Sequence, residues 1–354
     1  MGIEGIALNW FKSYLGDRSQ SVQIGDIVSL ISVLLLFGVP QGSVLGPLLF
    51  LIYMLPLGAV IRKYGFSLHI YADDTQIYLA INRDTEHIHT IQLELCLRDI
   101  HQWMSGNFLK LNSGKTEVLV MGTWQQLKKL NITSLNVAGV QVNLQQKPVR
   151  NLGVMSDKNM TMSSHVMSLV KSVSYHTRNI SRIRHNLTTD SAKKLVNSLV
   201  TSRLDYCNSL LVGISGGLLK RLQCAQDWAA RVVLQLPRSV DPPLQELHWL
   251  PVSKRIDYKL TVTVFKAIHG LAPDYINELI IPVTAASRTR LGEGSYRLHV
   301  SRTTNGRGDR TFKIAGPNLW NKLPKDLRAV TNIVDFKRKL KTHFYIDAFN
   351  VKRQ

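Results

Sequence analysis

The chain has 354 residues, of which 45% are hydrophobic and 19% charged, and its formal net charge is +20 at pH 7. This length and apolar content suit about two folded domains and exclude a disordered chain. The charge is uneven, because residues 1–150 hold 12 Lys and Arg against 10 Asp and Glu, whereas residues 151–354 hold 32 against 14, a net charge of +18. Such an excess predicts a polyanionic partner for the second part, and a basic solvated surface remains the alternative.

The spacing of the cysteines and the length of the apolar segments indicate where in the cell the protein is located. The three cysteines have no paired spacing, which argues against a disulfide framework and a zinc site. The amino-terminal sequence has neither a basic region nor a small-residue cleavage site. The longest apolar run, residues 27–37, is too short to span a bilayer. We therefore expect an intracellular protein that is not secreted and has no membrane partner.

The first predicted elements are a strand region and a helix joined by a loop. Residues 27–37, IVSLISVLLLF, predict a buried strand or strand pair. The next segment, GVPQGSVLGP, holds three glycines and two prolines in ten residues, and this density predicts a shaped loop. Pro47 suits the first turn of a helix through LLFLIYML, because a missing N–H costs nothing there.

Residues 67–81, SLHIYADDTQIYLAI, alternate apolar and polar side chains on both sides of an acidic pair, Asp73 and Asp74. This pattern predicts a β-hairpin with carboxylates at its tip. Short hairpin turns prefer Asn-Gly or Asp-Gly, and this one has no glycine, while two like charges about 4 Å apart repel by roughly 1 kcal/mol in water. From the residues alone two interpretations stay open: acids that merely suit a turn, or ligands of a divalent cation.

The following segment predicts a long helix and then a strand. Apolar residues recur at helical spacing from Ile88 to Met104, with Asp84 as the expected N-cap and Gly106 with Asn107 at the end. Strand character returns over residues 117–121. The order of loop, helix, hairpin, helix and strand predicts an α+β fold with an antiparallel sheet.

Beyond residue 165 the pattern becomes helical and basic. Residues 165–235 predict helices, and a later helix is expected to close at Gly270. In the terminal helix Phe336, Leu340 and Phe344 share one face and lysines surround the others, which fits a core-packing helix, with a nucleic-acid contact as the alternative. The basic residues that we single out are Lys171, Arg178, Arg182, Arg184, Lys193, Lys194 and Arg203 in the helices, and Arg288, Arg290, Arg297, Arg302, Arg307 and Arg310 in a later loop.

Four segments occur in an order that resembles a known family. GVPQGSVLGPLLF, YADDTQIYL, LKLNSGKTEVLV and NLGVMSDKNM follow one another as in the reverse transcriptases of LINE-type retrotransposons, which lack long terminal repeats. Farther on, SRLDYCNSLL, LHWLPVSKRIDYK, FKAIHGLAPDYI and GPNLWNKLP resemble the carboxy-terminal region of jockey-like elements. The resemblance therefore covers nearly the whole chain.

The resemblance implies an RNA-directed DNA polymerase that acts on an RNA template, a DNA primer and deoxynucleoside triphosphates. In that family two Mg²⁺ ions, which Mn²⁺ can replace, assist nucleotidyl transfer. By resemblance Asp73 is the leading metal ligand and Asp74 the second catalytic acid, while Tyr71 and Ala72 shape the floor beneath the primer end. The expected location is the nucleus or cytoplasm, as a ribonucleoprotein.

Other residues acquire expected roles in the same way. Pro40, Gln41 and Gly42 resemble the loop beneath the templating base pair, where a glycine lets the backbone approach, and a plain turn is the alternative.

Lys115 matches a lysine proposed to protonate the leaving pyrophosphate, although a loop lysine has many other uses. Leu152 and Gly153, within NLGV, resemble the turn that grips the primer, and an ordinary glycine turn is almost as good an explanation.

The resemblance divides the chain into three parts. Residues 1–160 are expected to form a partial polymerase palm, residues 161–240 a helical basic thumb, and residues 241–354 the α-rich, basic carboxy-terminal region of LINE-type elements.

The family uses three carboxylates, and the first motif, which carries one of them, is not found. The acids upstream of Gly38 are Glu4, Asp17 and Asp26, and none has the apolar strand setting that the motif requires. We therefore expect an amino-terminally truncated domain that is inactive or inefficient as this isolated chain. The alternatives are a non-catalytic nucleic-acid-binding remnant and an inert pseudogene product.

Overall fold

The computed structural model describes residues 2–29, 33–35, 37–241, 244–283, 296–303 and 306–350. The chain divides into two compact units. The first comprises Met1–Val120 and Trp124–Leu144, and the second comprises Met121–Thr123 and Gln145–Gln354. The division into three parts at residues 160 and 240 stays a prediction.

The first unit combines helices with short antiparallel strands. Its helices are α1 (Gly5–Leu15), α2 (Gly46–Arg62), α3 (Glu86–Gly106) and α4 (Trp124–Leu127), with a 3₁₀ turn at Ser113–Lys115. Its strands are β1 (Arg18–Gln20), β2 (Gln23–Ile24), β3 (Ile27–Val28), β4 (Val33–Leu35), β5 (Ser67–Tyr71), β6 (Asp74–Tyr78), β7 (Ser134–Val137) and β8 (Val140–Asn143). The strands pair antiparallel as β1 with β4, β2 with β3, β5 with β6 and β7 with β8, so the predicted α+β class is confirmed.

Helices α2 and α3 form the core of the first unit. Met54, Leu57 and Ile61 of α2 are buried against Cys96 and Ile100 of α3. Burial raises the pKa of the Cys96 thiol to about 11, because the thiolate would lose its hydration there. The end of α2 is held to α3 by a hydrogen bond of 2.5 Å from the Tyr64 hydroxyl to Asp99, and this bond lowers the pKa of the Asp99 carboxyl.

Helix α2 begins as predicted, because Pro47 lies in its first turn. Just before it, the amide of Gly46 donates to Ser43 Oγ at 3.2 Å, which satisfies a backbone donor that the helix leaves open. Helix α3 begins one residue later than expected, so the assignment of Asp84 as N-cap is wrong. Thr85 is the N-cap instead, since its amide donates to Asn82 Oδ1 and the turn closes there.

Two strand predictions in the first unit are wrong. Residues 27–37 contain β3 and β4, but these strands are exposed rather than buried apart from the half-buried Leu35, and Ile27 is 77% accessible. They pair only with other strands of two or three residues, which offer no apolar layer to cover them. The strand expected at 117–121 is reduced to a single parallel bridge between Val118 and Leu144.

The second unit is mostly helical. Its strands are β9 (Val149–Asn151) and β10 (Val154–Ser156), which form an antiparallel hairpin. Its helices are α5 (Ser163–Ile183), α6 (Thr189–Val196), α7 (Ser202–Asp205), α8 (Gly216–Leu234), α9 (Val252–Ile268), α10 (Asp274–Asn277), α11 (Phe312–Lys322), α12 (Lys325–Arg328) and α13 (Ile333–Phe349). The prediction of helices over 165–235 is therefore confirmed, and α9 is followed by Gly270 with a φ of 63°, as expected for a glycine that ends a helix.

Two apolar clusters hold the second unit together. One joins α5, α6 and α8, with Val173 and Val233 fully buried. The other joins α9, α11 and α13, where the ring of Phe336 stacks on Phe265 with centroids 4.2 Å apart. Phe336, Leu340 and Phe344 are all buried, so the predicted apolar face of the terminal helix is confirmed.

Two of the arginines singled out in the sequence serve the fold. Arg184 is only 8% exposed, and its guanidinium donates to the carbonyls of Val232 and Val233 in the last turn of α8 at 2.8 to 3.3 Å. A cation suits this position because the carbonyl end of a helix carries partial negative charge. Arg310 donates to the carbonyls of Val212 and Met160. Arg288 and Arg290 lie outside the described residues.

We expect the Arg184→Met variant to lose about 3 kcal/mol of unfolding free energy, because several buried carbonyls would lose their donors. Urea unfolding followed by circular dichroism measures this change. Arg182→Met is the matched control, since Arg182 is exposed one helical step away on α5 and should shift stability by less than about 0.5 kcal/mol. Equal stability of the two variants would contradict a capping role for Arg184.

Candidate active site and nucleic-acid contacts

The acidic pair lies at the tip of the β5–β6 hairpin, as the sequence predicted. Strands β5 and β6 pair with Tyr71 opposite Asp74, Ile70 opposite Thr75 and Leu68 opposite Ile77. Ala72 and Asp73 are therefore the two residues of the turn, and Asp74 is the first residue of β6. The register fixes which side chains leave the ribbon at its tip.

The turn presents its carboxylates to solvent. Asp73 and Asp74 are both exposed, and Tyr71 beside them is 67% accessible. Ala72 has a φ of 55°, in the left-handed region that a side chain disfavours by roughly 1 kcal/mol or more. A positive φ at the first central residue is the type II′ geometry, which usually takes glycine.

The two faces of the ribbon differ. Leu68, Ile70 and Ile77 are half-buried, and the first and last of these pack against the core of α2 and α3. On the other face His69 and Tyr78 stack with ring centroids 5.3 Å apart, and the Tyr78 hydroxyl lies 3.1 Å from His69 Nε2. The acidic tip is thus anchored by one apolar face and one aromatic pair.

Residues 40–43 form a tight turn ahead of α2. The amide of Ser43 donates to the carbonyl of Pro40 at 3.1 Å, and Gly42 has a φ of 84°, as a type II turn requires at its third residue. Pro40, Gln41 and Gly42 are all exposed, and a Cβ at Gly42 would meet no atom within 4 Å. The surface over Gly42 is open, which leaves room for a ligand to approach the backbone.

Lys115 ends the 3₁₀ turn that follows α3. Its amide donates to Asn112, both to the carbonyl at 3.1 Å and to Oδ1 at 3.2 Å, and its side chain is exposed. The backbone is therefore fixed while the ammonium group stays in solvent. The role in pyrophosphate protonation stays a prediction.

Leu152 and Gly153 form the two-residue turn between β9 and β10 in the second unit. Their φ angles are 43° and 84°, and two positive values are typical of a type I′ turn. The hydroxyl of Tyr206 donates to the carbonyl of Leu152 at 2.7 Å, and its ring lies 3.4 Å from where a Cβ on Gly153 would stand. The turn is therefore held against the residue that follows α7.

Beneath this turn His165 of α5 accepts a hydrogen bond of 3.4 Å from the amide of Met155 through Nδ1. Acceptance requires an unprotonated nitrogen. Burial of the ring, with a smaller effect of Arg150, lowers the pKa of His165 and favours this neutral form.

Comparison with known proteins adds to this geometry. Residues 2–156 match the family model described as reverse transcriptase (RNA-dependent DNA polymerase). The match covers under half of the chain and includes the Pro40–Gly42 turn, the acidic hairpin, Lys115 and the Leu152–Gly153 turn. Residues 157–354 lie outside this reverse transcriptase match. None of the curated proteins matches the chain.

The segment that matches the reverse transcriptase model offers two carboxylates as candidate metal ligands. Magnesium and manganese take hard oxygen donors, and Mg²⁺ is commonly held by one or two carboxylates with waters and substrate phosphates. The exposed pair of Asp73 and Asp74 fits that donor set. Within the described ranges, no group of three or more His, Cys, Asp and Glu side chains is placed to hold a metal ion.

The hairpin brings Tyr71, Ala72, Asp73 and Asp74 together at its tip. The turn at 40–43 and Lys115 belong to the same unit as this hairpin, and the turn at 152–153 belongs to the second unit. Sequence reasoning missed Tyr206 as the support of the second turn. The SRLDYCNSLL segment that contains it resembled the family, but no local pattern indicates a contact 54 residues away.

No helix in the described part of the chain has both the length and the apolar content needed to cross a membrane.

We expect the Gly153→Ala variant to lose about 1 to 2 kcal/mol of unfolding free energy, because alanine is strained at a φ of 84° and its Cβ would touch the Tyr206 ring. Gly217→Ala is the control, since Gly217 lies in the first turn of α8 with open space around it, and alanine favours helix there. Thermal unfolding distinguishes them. A Gly153→Ala protein as stable as Gly217→Ala would show that the turn does not need glycine.

Proposed function

We propose that the chain is a reverse transcriptase domain of a LINE-type, jockey-like retrotransposon, an RNA-directed DNA polymerase in fold and site. The observation that carries the proposal is the exposed Asp73–Asp74 pair at the tip of a β-hairpin, inside a segment that matches the reverse transcriptase family model. The order of its motifs supports the LINE-type assignment.

In this proposal Asp73 and Asp74 hold a divalent cation, Mg²⁺ or Mn²⁺. Such an ion, when bound, would lower the pKa of the attacking primer hydroxyl and neutralise charge on the triphosphate. The rigid β5–β6 ribbon would keep the two carboxylates at a fixed place relative to the primer end. Tyr71 and Ala72 would form the surface beneath that end, and Lys115 would donate a proton to pyrophosphate.

The two glycine turns would contact the template and primer. Gly42 leaves open space above the backbone, and this supports a role for Pro40, Gln41 and Gly42 beneath the templating base. The Leu152–Gly153 turn is held by Tyr206, and this support suits a role in positioning the primer strand.

Catalysis by this chain alone should be weak. Two-metal nucleotidyl transfer in the family uses three carboxylates, and the described residues contain no group of three acids that could hold a metal together. Compared with three carboxylates, a pair compensates less of the charge of a bound cation and constrains its position less.

The second candidate function is non-catalytic binding of nucleic acid. It is favoured by the net charge of +18 over residues 151–354, because clustered Lys and Arg bind phosphates without sequence preference. The two functions differ in whether nucleotide incorporation depends on the acidic pair.

The metal proposal is tested with terbium, whose luminescence is excited through nearby tyrosines such as Tyr71. We expect terbium to bind the purified chain and to be displaced by Mg²⁺, and the Asp73→Asn, Asp74→Asn double variant to weaken this binding at least about tenfold. The matched control is Asp17→Asn with Asp26→Asn, which removes the same charge from exposed acids of the same unit. Equal loss in both double variants would contradict a specific site at the hairpin.

Primer extension tests activity. With a homopolymer RNA template, a DNA primer, Mg²⁺ and labelled nucleotide, we expect no incorporation above background by the purified chain, because the acid set is incomplete. Incorporation that is abolished by Asp73→Ala would overturn the expectation of weak catalysis and would establish the polymerase. Salt-dependent RNA binding without incorporation would favour the second candidate.

A further inference from the structure

The second unit contains a cleft of about 500 Å³ that lies outside the reverse transcriptase match. Its walls come from α6, α7, α9, α13 and the segment of residues 247–250. A volume of this size is in the range of small-molecule sites and accommodates one or two nucleotides of an extended strand, but not a duplex.

The cleft is cationic. Lys193, Lys259 and Lys341 line it from three different helices, and no carboxylate of the described residues lies within ion-pair distance of their ammonium groups. The one acid in the lining, Asp205, is already neutralised, because Arg255 Nη1 lies 3.0 and 2.8 Å from its two oxygens. The three lysines therefore leave a concentrated positive charge for an anionic ligand.

A buried amide adds a hydrogen-bonding requirement. Asn208 lines the cleft and is only 2% exposed, and its Oδ1 is buried without a hydrogen-bond partner among the described residues. Its orientation is set, because Nδ2 donates to Asp205 at 3.4 Å. A buried acceptor without a donor is costly.

An aromatic ring lies at the same place. His248 lines the cleft and is exposed, and its backbone has a φ of 55° in the segment before α9. Its ring is parallel to that of Tyr345, with centroids 6.0 Å apart. Parallel rings beside lysines are the combination on which single-stranded bases stack.

We propose that this cleft binds single-stranded nucleic acid, with phosphates on Lys193, Lys259 and Lys341 and one base against His248. The inference rests on the proposed function only in taking nucleic acid as the ligand, since the cleft shares no residue with the acidic hairpin. RNA and DNA share the phosphate and base chemistry that the cleft recognises.

The test is fluorescence anisotropy of labelled twelve-residue oligouridylate and oligothymidylate with the purified full chain over a salt series. We expect the triple variant Lys193→Gln, Lys259→Gln, Lys341→Gln to weaken binding about tenfold or more at 0.1 M salt. The slope of log affinity against log salt should fall by about 2, since each phosphate contact on a single strand contributes about 0.7. We expect unchanged circular dichroism for the triple variant, because Lys259 and Lys341 are exposed and Lys193 is half-buried.

The matched control is Lys171→Gln, Lys220→Gln, Lys337→Gln, which removes the same charge from exposed lysines of the same unit outside the cleft. It should weaken binding less than about threefold and leave the slope unchanged. Equal loss of affinity in both triple variants would contradict a specific site in the cleft. Full displacement of the oligonucleotide by poly-glutamate at equal charge would contradict it as well. Either result would mean that the oligonucleotide binds a general basic surface. If the chain bound no oligonucleotide at all, both the proposed function and the proposed site would be contradicted. If the two triple variants bound equally well, only the proposed site would be contradicted.

Discussion

The cross-strand pairing of Tyr71 with Asp74 is the constraint on which the candidate site depends. It limits the connection between β5 and β6 to two residues, so Asp73 must lie in the turn and Asp74 must open the next strand. A shift of one residue would exchange the faces of the ribbon, moving Leu68 and Ile77 away from the core. The buried contacts of those two side chains with α2 and α3 therefore also determine where the carboxylates stand.

Local patterns in the sequence were enough to predict the elements that carry the site. Strict alternation around the acidic pair predicted the hairpin, Pro47 marked the start of α2, and the spacing of Phe336, Leu340 and Phe344 identified the buried face of α13. Each of these signals lies within a few residues of the structure that it specifies. The α+β class followed from the same signals.

The rest could not be predicted, because it depends on partners that are distant in sequence. Residues 27–37 are apolar enough for a core, yet no element of the described first unit covers β3 and β4. Arg184 looked like one of several phosphate-binding arginines, but the end of α8, nearly 50 residues later, takes up its guanidinium. The cleft combines residues from 193 to 341, so no sequence window contains it.

The acidic hairpin and the excess of positive charge lie in different parts of the chain. The first 150 residues, which hold the acidic hairpin, are nearly neutral, and the excess of positive charge lies beyond them. Part of that excess serves the fold, as Arg184 and Arg310 show by donating to backbone carbonyls. The charge available to a polyanion is therefore smaller than the count of Lys and Arg indicates, and three lysines without carboxylate partners contribute to it at the cleft.

Asp205 and Tyr206 are neighbours in the chain, but their side chains serve different places. Asp205 pairs with Arg255 in the cleft, whereas Tyr206 holds the carbonyl of Leu152. A single peptide unit therefore joins the wall of the cleft to the β9–β10 turn. The main chain that positions Asp205 against Arg255 therefore also positions Tyr206 against that turn.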